Sequence, residues 1–258
     1  IANPWINTNL NGGEGNDVLT GGAGQDYLSG ENGDDTLSGG DGDDYLADIG
    51  TMGMNFIDGG KGNDRINVFS YMTDGLQASN TVIGGEGNDY INMNSSVSGS
   101  SGHSGYFYGN EGDDYILGNG VLDGGVGNDN LSGYDNADTY IFGRDYGVDT
   151  VTDRPLYTLN DGTTQGAINT IQLLAGVVES DIVLNRIGPN LLLLIQGTTD
   201  QLIINNYFNG QTFPQDNYYT EISYQNFNIQ FADGTTWDKA RILEVANLSS
   251  VNGTENAD

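Results

Sequence analysis

Between Gly12 and Ala47 a nine-residue unit repeats four times without a break, as G-G-x-G-x-D-x-U-x with U a large aliphatic residue. The copies run Gly12 to Thr20, Gly21 to Ser29, Gly30 to Ser38 and Gly39 to Ala47. Glycines at positions one, two and four allow positive φ, so the first six residues read as a turn. Positions seven to nine alternate outward, inward, outward, which is a very short strand with one side chain in a core. That inward residue is Leu19, Leu28, Leu37 and Leu46 in the four copies. Two units then make one coil of a flattened solenoid, with turns on opposite edges and aliphatic residues stacked inside. The expected fold is all-β, a right-handed parallel β-roll.

Stacked strands lie about 4.8 Å apart, which brings the position-six aspartates of successive turns on one edge to that separation. Two bare carboxylates there repel by about 1 kcal/mol in water, and by about 3 to 4 kcal/mol at an effective dielectric of about 20. A cation between them reverses the sign. Carboxylates and carbonyls are hard oxygen ligands, and with no Cys and one His in the chain they suit Ca²⁺ and not a soft transition metal. Mg²⁺ fits less well because it demands tight octahedral geometry and gives up water reluctantly.

The register continues past Ala47 if short insertions loop out. Gly50 to Asp58 is a weakened unit with Asn55 at position six, and Gly59 to Asn67 is full with Asp64. After Val68 to Asp74 comes the weakened Gly75 to Ile83 with Asn80, then a full Gly84 to Asn92 with Asp89. After Met93 to Gly99 comes the poor unit Ser100 to Tyr108, with Gly105 at position six and Phe107 at eight. Gly109 to Leu117 carries Asp114, Gly118 to Asp123 is shortened around Leu122, and Gly124 to Ser132 carries Asp129. Gly133 to Ile141 (Asp138) and Arg144 to Thr152 (Asp149) close the run. The damaged units alternate with intact ones, and alternation means one edge. An unbroken metal ladder is therefore expected on the edge with Asp26, Asp44, Asp64, Asp89, Asp114, Asp129 and Asp149, holding about six ions. The other edge should hold an ion between Asp17 and Asp35 and then lose metal where the insertions emerge.

Asp and Glu number 36 against 7 Lys and Arg, a formal charge of −29, which argues against nucleic acid or an anionic membrane as partner. At least ten acidic residues fall at one position of the repeat, so the acidity is patterned and not that of a solvated chain. Cation binding and folding are expected to be a single event. Without Cys there is no disulfide, and the longest apolar run, Leu191 to Ile195, is far too short to span a membrane. Insertion into a membrane by this segment is not expected, and the chain reads as a monomer. The Gly-Asp repeat fades near Asp153, dividing residues 1–153, the roll, from 154–251; residues 252–258 look like the start of a further repeat or a linker. From Arg154, the runs Ile182 to Ile187, Leu191 to Ile195 and Leu202 to Phe208 suggest an antiparallel meander. Asn228 to Trp237 suggests a hairpin turning at Asp233-Gly234, and Asp238 to Val245 a short helix. A solenoid end exposes strand edges, so this smaller antiparallel region is the expected cap.

Residues 12 to 152 resemble the RTX, or haemolysin-type calcium-binding, repeats. Ser180 to Phe208 with Phe231-Ala232-Asp233-Gly234-Thr235-Thr236-Trp237 resembles the haemolysin-type calcium-binding-related domain that often follows them. The resemblance implies a parallel β-roll in large bacterial proteins exported unfolded by type I secretion and folded by extracellular calcium, hence a secreted or cell-surface location. It implies as ligands the position-six residues Asp17, Asp26, Asp35, Asp44, Asp64, Asp89, Asp114, Asp129, Asp138 and Asp149. It adds the position-one carbonyls of Gly12, Gly21, Gly30, Gly39, Gly59, Gly84, Gly109 and Gly124. The position-three carbonyls of Glu14, Ala23, Asn32, Asp41, Lys61, Glu86, Glu111 and Val126 complete the set. Asn55, Asn80 and Gly105 depart from the pattern, so sites on that edge are expected to weaken.

No catalytic motif survives inspection. One His cannot supply the zinc-protease motif H-E-x-x-H, and in Gly102-His103-Ser104-Gly105 the second glycine comes one residue early for a nucleophile elbow. His103 reads as a polar loop residue. Asp34-Asp35, Asp43-Asp44 and Asp113-Asp114 recur with the period, so one aspartate of each pair reads as a ligand and the other as a solvated neighbour. Tyr71, Tyr90, Tyr106, Phe107, Tyr108 and Tyr115 would allow stacking on a polysaccharide or surface glycan, but Phe107 in the core with tyrosines over it is the simpler reading. The expectation is a non-enzymatic calcium-folded module, with a carbohydrate-binding accessory module as the alternative.

Overall fold

A computed structural model describes residues 6–50, 53–70, 78–93, 103–134, 136–212 and 219–252. The chain divides into two compact units, Ile1–Leu131 and Ser132–Asp258.

The first unit contains β1 (Asn9–Glu14), β2 (Val18–Ala23), β3 (Tyr27–Asn32), β4 (Thr36–Asp41), β5 (Tyr45–Gly50), β6 (Phe56–Lys61), β7 (Arg65–Ser70), β8 (Ala78–Glu86), β9 (Tyr90–Met93), β10 (His103–Glu111), β11 (Tyr115–Leu117) and β12 (Gly120–Val126). Odd strands pair in parallel in the order β1-β3-β5-β7-β9-β11, and even strands in the order β2-β4-β6-β8-β10-β12. Each coil is thus two nonapeptides, as a roll requires. The turns are shorter than the sequence suggested. A strand typically runs from position seven through position three of the next unit, as in Val18–Ala23, which leaves only positions four to six to bend. Glycines at positions one and two still take part in the sheet, with Gly22 in register with Gly40.

The position-eight side chains form the core. Leu28, Leu46, Ile66, Ile91 and Ile116 from one sheet, and Leu37, Ile57, Val82, Phe107 and Leu122 from the other, have no exposed surface. Each contributes about 1.5 to 3 kcal/mol by leaving water. Val68 and Met93, expected to open looped insertions, are instead in-register strand positions paired with each other and buried. An apolar residue at that place in the coil is better placed inside than looped out. The rest of those insertions from residue 71 and from residue 94, including Tyr71, lies outside the described residues, as do Gly102 and residues 253–258.

Asn130–Ser132 (β13) lies at the division between the units. The second unit holds β14 (Thr139–Phe142), β15 (Val148–Thr152), β16 (Leu156–Leu159), β17 (Thr164–Gln165), β18 (Asn169–Leu173), β19 (Ile182–Ile187), β20 (Asn190–Ile195), β21 (Gln201–Ile204), β22 (Gly210–Thr212), β23 (Tyr219–Ser223), β24 (Phe227–Gln230), β25 (Thr236–Trp237) and α1 (Lys239–Asn252). The change expected at Asp153 is not a change of pairing. β14 pairs in parallel with β18 and β18 with β24, while β15 pairs in parallel with β21. Asn169 to Leu173 keeps the inward and outward alternation of a coil strand after the nonapeptide repeat has ended. Antiparallel pairing then takes over, β19 with β20, β20 with β21 and β24 with β25. A separate antiparallel sheet runs β17-β16-β23-β22. The Asp238 carboxylate caps α1 by accepting the Arg241 N–H at 2.9 Å. Ile242 and Ala246 bury the inner face of the helix. No helix among the described residues is long and apolar enough to cross a membrane.

Candidate metal centre

Each turn bends at glycine. Gly42 has φ of +131°, and a Cβ on it would lie 2.0 Å from the carbonyl oxygen of Gly24 in the coil beneath, so no other residue fits. The bend sends the position-six side chain inward, and all the position-six aspartates from Asp26 to Asp149 are buried.

On the intact edge these aspartates form a continuous chain. The backbone N–H of Asp26 donates to Oδ1 of Asp44 at 2.7 Å, Asp44 to Asp64 at 2.8 Å, Asp64 to Asp89 at 2.7 Å, Asp89 to Asp114 at 2.7 Å and Asp114 to Asp129 at 2.8 Å. Each carboxylate thus spends one oxygen on the turn before it. The other oxygen points elsewhere. Oδ2 of Asp17, Asp26, Asp35, Asp44, Asp64, Asp89 and Asp114 is buried and receives no hydrogen bond from the described residues.

These oxygens converge with carbonyls at the position-one glycines. A Cβ on Gly21 would lie 2.3 Å from Asp26 Oδ2 and 2.5 Å from the carbonyl oxygen of Gly39, one coil on. Gly39 repeats this with Asp44 Oδ2 at 2.3 Å and Gly59 O at 2.5 Å, and Gly59 with Asp64 Oδ2 at 2.3 Å and Gly84 O at 2.6 Å. Gly109 does so with Asp114 Oδ2 at 2.1 Å and Gly124 O at 2.4 Å. One carboxylate and one carbonyl oxygen therefore gather at these four steps. Position-three carbonyls of Asn32, Asp41, Lys61, Glu86, Glu111 and Val126 accept the N–H of the position-four glycine one coil before, at 2.6 to 2.9 Å, and each retains a second lone pair. Their side chains face solvent, where Lys61 pairs with Glu86 at 2.5 Å.

A model of the RTX calcium-binding nonapeptide repeat matches residues 10–46, 49–68, 74–92, 106–121 and 117–148, and one of the haemolysin-type calcium binding protein related domain matches residues 190–241. The chain belongs to the RTX repeat family. Comparison with curated proteins found no match. Among solved structures the chain is similar to the extracellular lipase LipA from Serratia marcescens, at 19% identity and a TM-score of 0.33, over 74% of this chain and 36% of that one.

RTX repeats bind calcium, and the chemistry of this donor set fits that ion. Among the described residues no three acidic or imidazole side chains meet at one point, so an ion here draws on one or two carboxylates and fills its shell with carbonyls, as Ca²⁺ tolerates. The electrostatics call for a cation too. Burial, first, and neighbouring charges raise the Asp44 carboxyl to about 6, Asp64 to about 7 and Asp114 to about 8, against the pull of the N–H each accepts. Burial likewise lifts Asp89 and Asp129 to about 6. Stripped of metal, the RTX ladder stores uncompensated negative charge.

The other edge changes character coil by coil. Asp17 donates its N–H to Asp35 Oδ1 at 2.8 Å, Asp35 to Asn55 Oδ1 at 2.7 Å, and Asn55 to Asn80 Oδ1 at 2.9 Å. Asparagine keeps the backbone link and drops the charge. At Gly105 the link ends, because the Phe107 ring fills that space: a Cβ on Gly105 would lie 2.7 Å from its Cζ, and one on Gly118 2.9 Å from its Cε2.

Asp138 and Asp149 belong to the second unit. Asp138 donates its N–H to Asn169 Oδ1 at 2.9 Å, so here also an asparagine stands in for the next aspartate. Its Oδ2, the Tyr140 hydroxyl and Asp153 Oδ2 lie 2.2, 2.4 and 2.8 Å from a Cβ placed on Gly133, and Tyr140 donates to Asp153 at 2.5 Å. Asp149 is fully buried in β15, in register with Leu202.

Position five is exposed, as the sequence suggests, yet it does more. Asn63 donates its N–H to Asp43 Oδ1 at 2.8 Å, Asn88 to Asn63 at 2.9 Å, Asp113 to Asn88 at 2.9 Å and Asn128 to Asp113 at 2.8 Å. This outer chain runs opposite to the inner one. The signal for it is present in the sequence as Asn or Asp at position five of successive intact-edge units, Asp43, Asn63, Asn88, Asp113 and Asn128.

Proposed function

We propose that this chain is a non-enzymatic structural module of a larger secreted or cell-surface protein, exported by type I secretion and folded by extracellular calcium. The observation that carries this reading is the row of buried aspartate oxygens that receive no hydrogen bond from the described residues, with a carbonyl oxygen of the next coil beside those of Asp26, Asp44, Asp64 and Asp114. A buried carboxylate is tolerated only when its charge is offset, and this chain has 7 Lys and Arg to offer against 36 Asp and Glu. The intact edge has five intervals, from Asp26 to Asp129. With the Asp17 and Asp35 step the first unit takes about six ions. Low net stability without metal is what export as an unfolded chain requires, and external calcium then drives folding by mass action.

A far-UV circular dichroism titration of the metal-depleted chain tests this. Calcium should produce a cooperative gain of β signal that chelation reverses; an unchanged spectrum overturns the reading. The glycan-binding alternative gains little from the aromatic residues. Tyr27 stacks on Tyr45 at 5.1 Å and Tyr90 on Tyr115 at 5.2 Å, with the Arg65 guanidinium 4.6 Å over Tyr90, so these rings spend their faces on one another.

A further inference from the structure

On the edge that loses its aspartates, a charge reappears where the repeat has none. β3 and β5 pair through Ser29 and Ala47, so one residue on Asp48 stands beside Gly30, in the slot that position-one glycine occupies in a regular unit. A Cβ in that slot at Gly30 would lie 2.4 Å from Asp35 Oδ2, which shows where a side chain placed there is directed. The pairing starts this unit at Asp48 and not at Gly50 as the spacing suggested, so it is two residues longer than the repeat and its position six is Asn55. Its Oδ1 accepts the Asp35 N–H at 2.7 Å, which obliges Nδ2 to face the other way, and Nδ2 donates to Asp48 Oδ2. An aspartate at position 55 would instead set a second bare oxygen against Asp48. The pair has exchanged roles: the amide keeps the backbone link, and the carboxylate has moved from position six to position one.

Two observations point to a ligand between Asp35 and Asp48. Both are buried, at 1% and 2% exposure, and Oδ2 of Asp35 and Oδ1 of Asp48 receive no hydrogen bond from the described residues. They also lie close enough for their charges to oppose one another. One coil further, the residue in register with Asp48 is Val68, and after it Met93, both buried and unable to ligate.

We propose that Asp35 and Asp48 hold one further Ca²⁺, a site outside the nonapeptide pattern that ends the metal row on this edge. The inference rests on the calcium-module reading. Ions are counted by equilibrium dialysis on the full chain for the unaltered protein, Asp48→Asn, Asp48→Gly, and Asp48→Gly combined with Asn55→Asp. Each single variant should bind one ion fewer, and the double variant, which returns the charge to position six, should regain it. Single variants that bind as many ions as the unaltered chain overturn the proposal, as does a double variant that stays one short. Should neither single variant fold in calcium, the double variant alone decides, by matching the unaltered count or falling below it. A chain that binds no calcium at all sinks the module reading itself, and the two failures are thereby told apart.

Discussion

A Cβ on Gly39 would lie 2.3 Å from Oδ2 of Asp44, five residues on in the same turn, and 2.5 Å from the carbonyl oxygen of Gly59. The glycine is there to leave room for the two oxygens and for whatever they bind. Gly39→Ala should therefore push both oxygens off the site. The expected result is at least one ion fewer by dialysis and a calcium midpoint for folding raised about tenfold, equivalent to about 1.4 kcal/mol. An unchanged midpoint would mean that position one is glycine for some other reason.

Asp64 does two jobs, accepting the Asp44 N–H and offering Oδ2. Asp64→Asn keeps the first, as Asn55 and Asn80 already do on the opposite edge. Asp64→Ala loses both. In urea melts in saturating calcium the alanine variant should be less stable than the asparagine variant by about 1 kcal/mol, the net worth of one hydrogen bond. Equal losses would show that the backbone link is incidental.

Acid should stabilise the metal-free fold. Burial raises the carboxyls of Asp44, Asp64, Asp89, Asp114 and Asp129 to about 6 to 8 when folded, against 3.8 for an ordinary aspartate. Between those limits the folded chain holds more protons than the unfolded one, so metal-free stability falls as pH rises through 6 to 8. Calcium must displace the same protons, so its affinity should climb over that interval. Calorimetry at pH 6 in buffers of different ionisation enthalpy should report proton release on binding. No release would contradict the burial of these groups.

Restoring an aspartate at Gly105 should not restore a site, because the Phe107 ring already occupies the space. Gly105→Asp is expected to leave the ion count unchanged and lower the melting temperature in calcium. Phe107→Ala should cost about 3 to 5 kcal/mol through the cavity it leaves. An added ion in the Gly105→Asp variant would show that the ring yields.

Much of this was legible in the chain. Position eight named the core from Leu28 to Leu122, and the alternation of full and weakened units assigned Asp26 and Asp35 to different edges, because a side chain's facing repeats with the coil. Asp48 escaped because it sits where the pattern expects glycine, and only the pairing of Ala47 with Ser29 reveals the slot. The parallel strands at Asn169 and Gln201 escaped for a related reason. The glycines before them, Gly166 and Gly197, no longer fall in the nine-residue pattern, so the periodic signal stops although the pairing does not. Position five was seen and undervalued, since exposure says nothing of which amide a side chain reaches.

Adjacent residues such as Asp43 and Asp44 tether their turn in opposite senses. Asp43 accepts from the coil that follows, through Asn63, and Asp44 accepts from the coil before, through Asp26. Every turn of the intact edge is thus laced fore and aft on side chains as well as strands. A coil in the middle of the stack cannot slip or fray by itself, and damage to one rung is shared at once with the neighbours on both sides.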